Sequence, residues 1–322
     1  MIKNLFYPLI SSFIILSICL LSCNNSNENK KEEIVEVEAE ASANDVKFSL
    51  AQWSYNRDLF AGDMNTFDFI RKAKEQGFDG VEYVNQFFQD KVDNINFLDS
   101  LKQISQESNI QNVMIMIDRE GELGNSNEEK RIEAVANHKK WIDAAAHIDC
   151  ISIRVNAHGD GTEDEVRAAC AKSITELADY GKAKGILILI ENHGGYSSDA
   201  SWLLSLYIKI KHSNVSLLAD FDNWCIERED GKLWGSPCVK EYDRQKGMME
   251  LLPFSKGISI KSFEFNENGF ETKMDYPALF KIIKESNYNS FYAIEYEGHT
   301  RSSDEGVKKT KALADRMIGE IY

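Results

Sequence analysis

The chain has 322 residues, 43% of them hydrophobic and 11% aromatic, which is enough apolar material for a large core and excludes global disorder. Lys and Arg number 37 against 52 Asp and Glu, a net charge of −15. With no basic run to offset that field, nucleic acid is excluded as the expected partner.

Residues 1–22 have the pattern of a cleavable leader: Lys3 supplies the positive start, an apolar run covers 5–21, and small Ser22 precedes Cys23. The stretch Leu20-Leu21-Ser22-Cys23 resembles a bacterial lipobox, so Cys23 is the expected lipidated N-terminus of the mature chain. An uncleaved membrane anchor is the alternative, because the run is nearly long enough to span. Both place the rest of the chain outside the cytoplasm, attached to a membrane. Residues 23–45 are polar and of low complexity, and are expected to form a solvated tether.

From residue 46 to 322, short apolar runs rich in Val, Ile and Phe alternate with longer runs of helical period. The first predicted strand is 46–53, followed by a helix at 65–76. The next pairs are 79–84 with 93–108, 110–117 with 127–146, and 149–155 with 163–184. After these come 186–191 with 200–212, and 215–220 with a long connection and a helix at 240–252. The last pairs are 257–263 with 276–286 and 290–296 with 304–321. Ile186-Leu187-Ile188-Leu189-Ile190 is continuously apolar, which suits a strand buried on both faces of a parallel sheet. The pattern predicts an α/β fold, a single-domain (β/α)8 TIM barrel. A doubly wound open sheet is the alternative, weakened because no Gly-x-Gly-x-x-Gly follows the first strand.

Of the cysteines after the leader, Cys225 and Cys238 flank a stretch of loop composition and could pair, which an oxidising compartment permits. Cys150 and Cys170 lie in apolar segments and are expected to be buried thiols. No Cys-x-x-Cys pair exists, so a structural zinc knuckle is not expected.

In a parallel barrel, chemistry gathers at the C-terminal ends of the strands. The first strand ends in Gln52-Trp53-Ser54-Tyr55 and the second contains Glu82. The fourth ends in Arg154-Val155-Asn156-Ala157-His158, and the fifth in Glu191-Asn192-His193-Gly194-Gly195. The sixth ends in Asp220-Phe221-Asp222-Asn223, the seventh carries Ser259-Ile260-Lys261, and the eighth ends in Glu295-Tyr296-Glu297. Glu191, Asp220 and Glu295 each interrupt an apolar run at the same strand end. Carboxylates facing one another repel, and a divalent cation removes the conflict; oxygen-rich ligation favours Mn2+ or Mg2+. The alternative is that each acid pairs with a base such as Arg154 or Lys261. A metal in this mouth would chelate a carbonyl and its neighbouring hydroxyl, stabilising the enediolate left when a carboxylate removes the proton between them. Return of the proton gives isomerisation or epimerisation; departure of a β leaving group gives elimination.

Together, Glu191-Asn192-His193, Asp220-Phe221-Asp222-Asn223, the Lys261 strand and Ile294-Glu295-Tyr296-Glu297-Gly298 resemble the xylose isomerase-like superfamily. Within it, the chain is similar to the sugar phosphate isomerase/epimerase group, over residues 46–322. The resemblance implies a TIM barrel with a divalent metal held by Glu, Asp, His and Glu from the fifth to eighth strands. Those acids fall on Glu191, Asp220 and Glu295. The histidine position, usually in a His-x-Lys pattern, falls on Ser259. Serine is a poor substitute for imidazole, so the fourth ligand is left to water, to His193 or His158, or to nothing. The resemblance also implies that Glu191 and Glu295 act as acid and base on opposite faces of the substrate.

The other candidates are substrate contacts. Glu82 would bond a hydroxyl or pair within the barrel, and Arg154, Asn156 and His158 would orient a hydroxyl or anionic group. His193 would support the site or ligate, Lys261 would neutralise an enediolate oxygen, and Trp53 and Asn223 stand at strand ends. The connection 221–239 is long and carries Trp224 and Trp234, which predicts a lid whose indoles stack on a sugar ring or simply pack the loop. No phosphate-binding glycine motif follows the seventh or eighth strand, so a free sugar or keto-sugar is expected. The leading expectation is a metal-dependent isomerase or epimerase. The alternatives are a lyase or dehydratase using the same enolate, similar to inosose dehydratases or 3-keto-glycoside lyases, and a non-catalytic carbohydrate-binding lipoprotein. The superfamily's AP-endonuclease branch lacks support, because neither its histidine cluster nor a basic groove is evident.

Overall fold

The continuous apolar runs form strands, and the longer periodic runs between them form helices. The computed structural model describes residues 46–322. The expected leader, the tether and Cys23 lie outside the described residues.

Among the described residues, eight parallel strands close into a barrel in the order β1-β10-β9-β6-β5-β4-β3-β2. They are β1 (Phe48–Ala51), β2 (Gly80–Val84), β3 (Gln111–Met116), β4 (Ser152–Val155), β5 (Leu187–Glu191), β6 (Val215–Asp220), β9 (Ser255–Ser262) and β10 (Tyr292–Tyr296). Between β6 and β9 the short strands β7 (Cys225–Arg228) and β8 (Cys238–Glu241) pair with each other as an antiparallel hairpin. The helices are α1 (Asn56–Ala61), α2 (Thr66–Glu75), α3 (Ile95–Ser108), α4 (Glu128–His147), α5 (Glu163–Lys184), α6 (Ala200–Ile210), α7 (Arg244–Leu251), α8 (Tyr276–Glu285) and α9 (Ser303–Ile321).

Local chemistry sets these boundaries. Asn65 and Asp68 form a capping box at the start of α2, and Thr162 and Glu165 form another at α5. Gly185, in the left-handed region at φ 76°, ends α5. The expected helix at 240–252 begins only at Arg244, because residues up to Glu241 pair in the hairpin and Asp243 caps the helix. The hairpin and α1 were not expected. Both hairpin strands are four residues long and poorly buried, so they lack the apolar run that marks the barrel strands.

The larger core lies between the barrel and its helices, where Phe69, Trp141, Ile188, Leu203, Phe280 and Ile294 are fully buried. A smaller core fills the barrel, built from Ala51, Val84, Met114, Met116, Leu189 and Leu218. Because strand side chains alternate, the residues two positions along from these also face the axis. In several strands those positions are polar. Ser49 Oγ donates to Glu82 Oε1 at 2.7 Å inside the barrel. Pairing sets Glu295 opposite Lys261 and Asp220 opposite Ser259, which gathers charged groups at one end of the axis.

Burial pushes the Glu82 carboxyl up to about 8, only partly offset by the Ser49 hydroxyl. The native state therefore holds a proton that the unfolded chain releases near its ordinary 4.5. Stability contributed by that proton is full below the unfolded value and is lost as pH rises toward the folded one. In Glu82→Gln the loss disappears. Thermal unfolding between pH 5 and pH 8 should show the variant gaining on the wild type as pH rises, whereas parallel curves would show that Glu82 does not titrate in this window.

Candidate active site

A cavity of about 520 Å³ opens where the strands end, a size that suits a small-molecule ligand. Its walls include Trp53 after β1, Asp118 after β3, Arg154, Asn156 and His158 from β4 and its loop, and Glu191 and His193 from β5. Asn223, Trp234, Lys261, Glu295 and Glu297 also line it, with Val84, Gln86, Met116 and Arg119 beside them.

Asn192 ties β5 to β6. Its Oδ1 accepts from the Asp220 backbone N–H at 2.7 Å, and its Nδ2 donates to the Asp220 carbonyl at 3.1 Å. Asp220 Oδ1 accepts from the backbone N–H groups of Asp222 and Asn223 at 2.8 and 2.9 Å, which turns the chain sharply. Asn223 is thereby carried over the mouth, where its Nδ2 donates to Glu191 Oε1 at 3.2 Å.

Two buried cations organise the floor. Arg154 Nη1 donates to Asp118 Oδ1 at 2.7 Å and to Asn156 Oδ1 at 3.0 Å, while its Nε lies 2.8 Å from Glu191 Oε2. That last contact is an ion pair by distance, but neither atom makes a hydrogen bond. Lys261 Nζ lies 3.0 Å from Glu297 Oε1, 3.3 Å from Asp220 Oδ2 and 3.8 Å from Glu295 Oε2. Ser259 Oγ donates to Glu295 Oε2 at 2.7 Å.

Burial pushes the Glu191 carboxyl up to about 8; Arg154 opposes the rise, and Asp220 adds to it. Burial likewise raises Glu295 to about 7, opposed by Lys261. For Asp118 burial works in the same direction and is the largest single cause, yet Arg154, His193 and Asn156 together outweigh it and hold the carboxyl well below the usual range. Burial by itself would lower the Lys261 ammonium, but Asp220, Glu295 and Glu297 push it well above the ordinary lysine value.

His158 and His193 stack with ring centroids 5.9 Å apart, and His158 Nε2 lies 2.6 Å from the His193 carbonyl. Burial lowers both imidazoles. Trp234, at the tip of the β7–β8 hairpin, lies over His193 with centroids 4.7 Å apart. It can do so because Gly194 and Gly195 have positive φ and no side chain; an added Cβ would come 3.1 Å from the Trp234 ring and 2.8 Å from Leu233. The hairpin is closed by a Cys225–Cys238 disulfide, and Cys150 and Cys170 are buried free thiols. On the opposite rim Trp53, Phe60 and Phe87 form an aromatic cluster, with Phe60 59% exposed.

Glu191, Asp220 and Glu295 do reach one end of the barrel, as do Arg154, Asn156, His158, His193, Asn223, Trp53 and Lys261. Two expected substrate contacts need correction. Glu82 is not at the cavity; it lies inside the barrel against Ser49. Trp224 is fully buried, its indole N–H donating to the Phe221 carbonyl and its ring packed where Gly247 of α7 leaves room. The indole of this loop that lines the cavity is Trp234. Asp118 was overlooked, although it ends an apolar run in the same way as the other acids.

The expected Mn2+ or Mg2+ ligation also meets a conflict. Glu191 is paired with Arg154, and the Lys261 ammonium lies among the remaining acids. Ser259 stands where an imidazole was required, and its hydroxyl already faces Glu295. His158 Nε2 is engaged by the His193 carbonyl, whereas His193 Nδ1 is buried without a hydrogen-bond partner. Among the described residues, no group of three or more His, Cys, Asp or Glu side chains is arranged to hold a metal ion. These residues do not fit a divalent metal.

A family model for xylose isomerase-like TIM barrels matches residues 70–317, well over half of the chain. The chain belongs to the xylose isomerase-like TIM barrel family. No curated protein gives a significant match. Among solved structures, D-psicose 3-epimerase from Clostridium cellulolyticum H10 with D-tagatose is 12% identical at a TM-score of 0.66, the match covering 85% of this chain and 99% of that one. The apo 3-keto-D-glucoside 4-epimerase from E. coli is 14% identical at 0.62, covering 84% and 98%. The IOLI protein with a bound zinc atom is 14% identical at 0.67, covering 86% and 99%. At these identities the likeness is one of fold.

The two indoles of the xylose isomerase-like barrel's β6 connection should separate by mutation. Trp224→Ala is expected to cost about 3–5 kcal/mol of stability, and Trp234→Ala less than about 1 kcal/mol. Equal losses in denaturant unfolding would contradict the assignment of one indole to the core and the other to the cavity.

Proposed function

We propose that this protein is a sugar isomerase or epimerase that moves a proton next to the carbonyl of a free keto-sugar or ketose. The observation that carries this reading is the pair Glu191 and Glu295. Both are buried at the cavity, both are pushed toward neutral pKa, and they sit on strands three steps apart around the barrel. Two carboxyls reaching a ligand from different sides, one ionised and one protonated near neutrality, are the equipment for removing a proton on one face and delivering one on another.

In this mechanism Glu295 takes the proton from the carbon beside the carbonyl. The C–H electrons move to the carbonyl oxygen and form an enediolate. Lys261, 3.8 Å from Glu295, balances the charge, and Glu191 supplies a proton to the opposite face. Trp234 and Trp53 offer ring faces to the apolar side of a sugar. The keto-sugar epimerases among the fold's relatives support the same substrate class.

Incubation with ketohexoses and 3-keto-glucosides in D2O tests the reaction. Solvent deuterium in an epimer or isomer, with no water or aglycone lost, is the expected result; release of an aglycone would replace this reading with a lyase. Glu191→Gln and Glu295→Gln should each slow exchange by about a hundredfold to ten-thousandfold. No exchange with any of these sugars, in wild type or variants, would leave a binding protein.

We further propose that the protein works outside the cytoplasm on a lipid anchor at Cys23, a setting that the Cys225–Cys238 disulfide supports. Metabolic labelling with palmitate should mark the wild type and not Cys23→Ala; equal labelling of both would remove the anchor.

A further inference from the structure

The central charge of the site belongs to the protein itself. Lys261 is 4% exposed, and its ammonium faces Asp220, Glu297 and Glu295 at 3.3, 3.0 and 3.8 Å. These are carboxylates from two different strand ends, and no single one of them owns the lysine. We propose that Lys261 stands permanently in place of a divalent cation, so that this site binds its sugar and stabilises the enediolate oxygen without a metal. The inference rests on the proposed sugar chemistry for its catalytic half only; the exclusion of metal rests on the residues themselves.

The geometry supports the substitution at each point. β9 pairs with β6 and β10, setting Ser259 opposite Asp220 and Lys261 opposite Glu295. Positions 259 and 261 therefore face the same side of one strand. The resembling pattern offers a metal an imidazole at 259; Ser259 offers only a neutral hydroxyl, a poor ligand, whose proton is donated to Glu295 Oε2 at 2.7 Å. The resembling His-x-Lys pattern keeps a lysine beside its metal, so the change in this chain is at 259: with the imidazole gone, the Lys261 ammonium is the cation left among Asp220, Glu295 and Glu297. The Lys261 backbone is held by the Tyr276 hydroxyl, which donates to its carbonyl at 2.7 Å. An ammonium has N–H donors but no second coordination position. It therefore neutralises one developing oxyanion rather than chelating a carbonyl and a hydroxyl together.

Equilibrium titration of the full-length, detergent-solubilised protein with Mn2+ tests this, following free Mn2+ by electron paramagnetic resonance. The wild type should bind no stoichiometric Mn2+ at millimolar concentration, and Mg2+ and Zn2+ should not raise its Tm. Stoichiometric binding of any of these ions at the barrel mouth, lost in Asp220→Asn, would overturn the proposal. The double variant S259H/K261M restores the imidazole and removes the ammonium. Purified with Mn2+ and folded by circular dichroism, it should retain about one ion per chain; a folded double variant that binds none would also overturn the proposal, because Ser259 and Lys261 would then not be what keeps metal out. These readouts need no sugar, so the outcome is separate from the D2O exchange that tests the reaction. If exchange is found, treatment of the wild type with a chelator should leave its rate unchanged.

Discussion

The site is organised around one buried ion network, in which Lys261 binds acids from β6 and from the end of β10 and its loop. Each of those acids is costly to bury alone, and the ammonium among them offsets that cost. Arg154 performs the same service for Asp118 and Glu191 on the other side of the mouth. The barrel can thus carry a polar interior, with Glu82 and Ser49 set below the charged layer, only because the charged layer is mutually neutralised. Removing one member strands the others, which by analogy with other buried pairs costs about 3–5 kcal/mol.

Much of the architecture was legible because its signals are long. Ile186-Leu187-Ile188-Leu189-Ile190 admits little but a strand covered on both faces, and it falls in β5. The end of that same run put Glu191 at the mouth, and equivalent breaks in the apolar pattern placed Asp220 and Glu295. The partners of those acids were harder to read. Whether three carboxylates share an ion or pair with bases depends on where Arg154 and Lys261 extend, and long flexible side chains leave no mark in a pattern of apolar positions. Trp224 and Trp234 show the same limit. They are ten positions apart in one connection, and only the placement of Gly247 against one and of Gly194 and Gly195 against the other assigns them to core and cavity.

The hairpin escaped notice for a different reason. Its strands are short, largely exposed and charged, so neither period nor apolarity distinguishes them from loop. What holds it is a covalent bond and a few contacts of one residue. Arg228 donates to the carbonyls of Leu233 and Ser236 at 2.9 and 2.6 Å, and its guanidinium lies 5.7 Å from the Trp234 ring centroid. The two cysteines were visible from the start as a possible pair, but the strand pairing beside them was not.

The disulfide joins Cys225, at the root of this hairpin, to Cys238, where β8 leaves the loop opposite Arg228, while the residue that reaches the cavity is at its tip. The nine residues between the two strands are therefore tethered at their base and carry none of the barrel's ion network. Such a module can change length or composition and reshape the roof without disturbing the acids and bases below. In a lineage of proteins built on this scaffold, diversification of ligand preference would be expected to accumulate in that detachable canopy first, long before the chemistry of the floor changes.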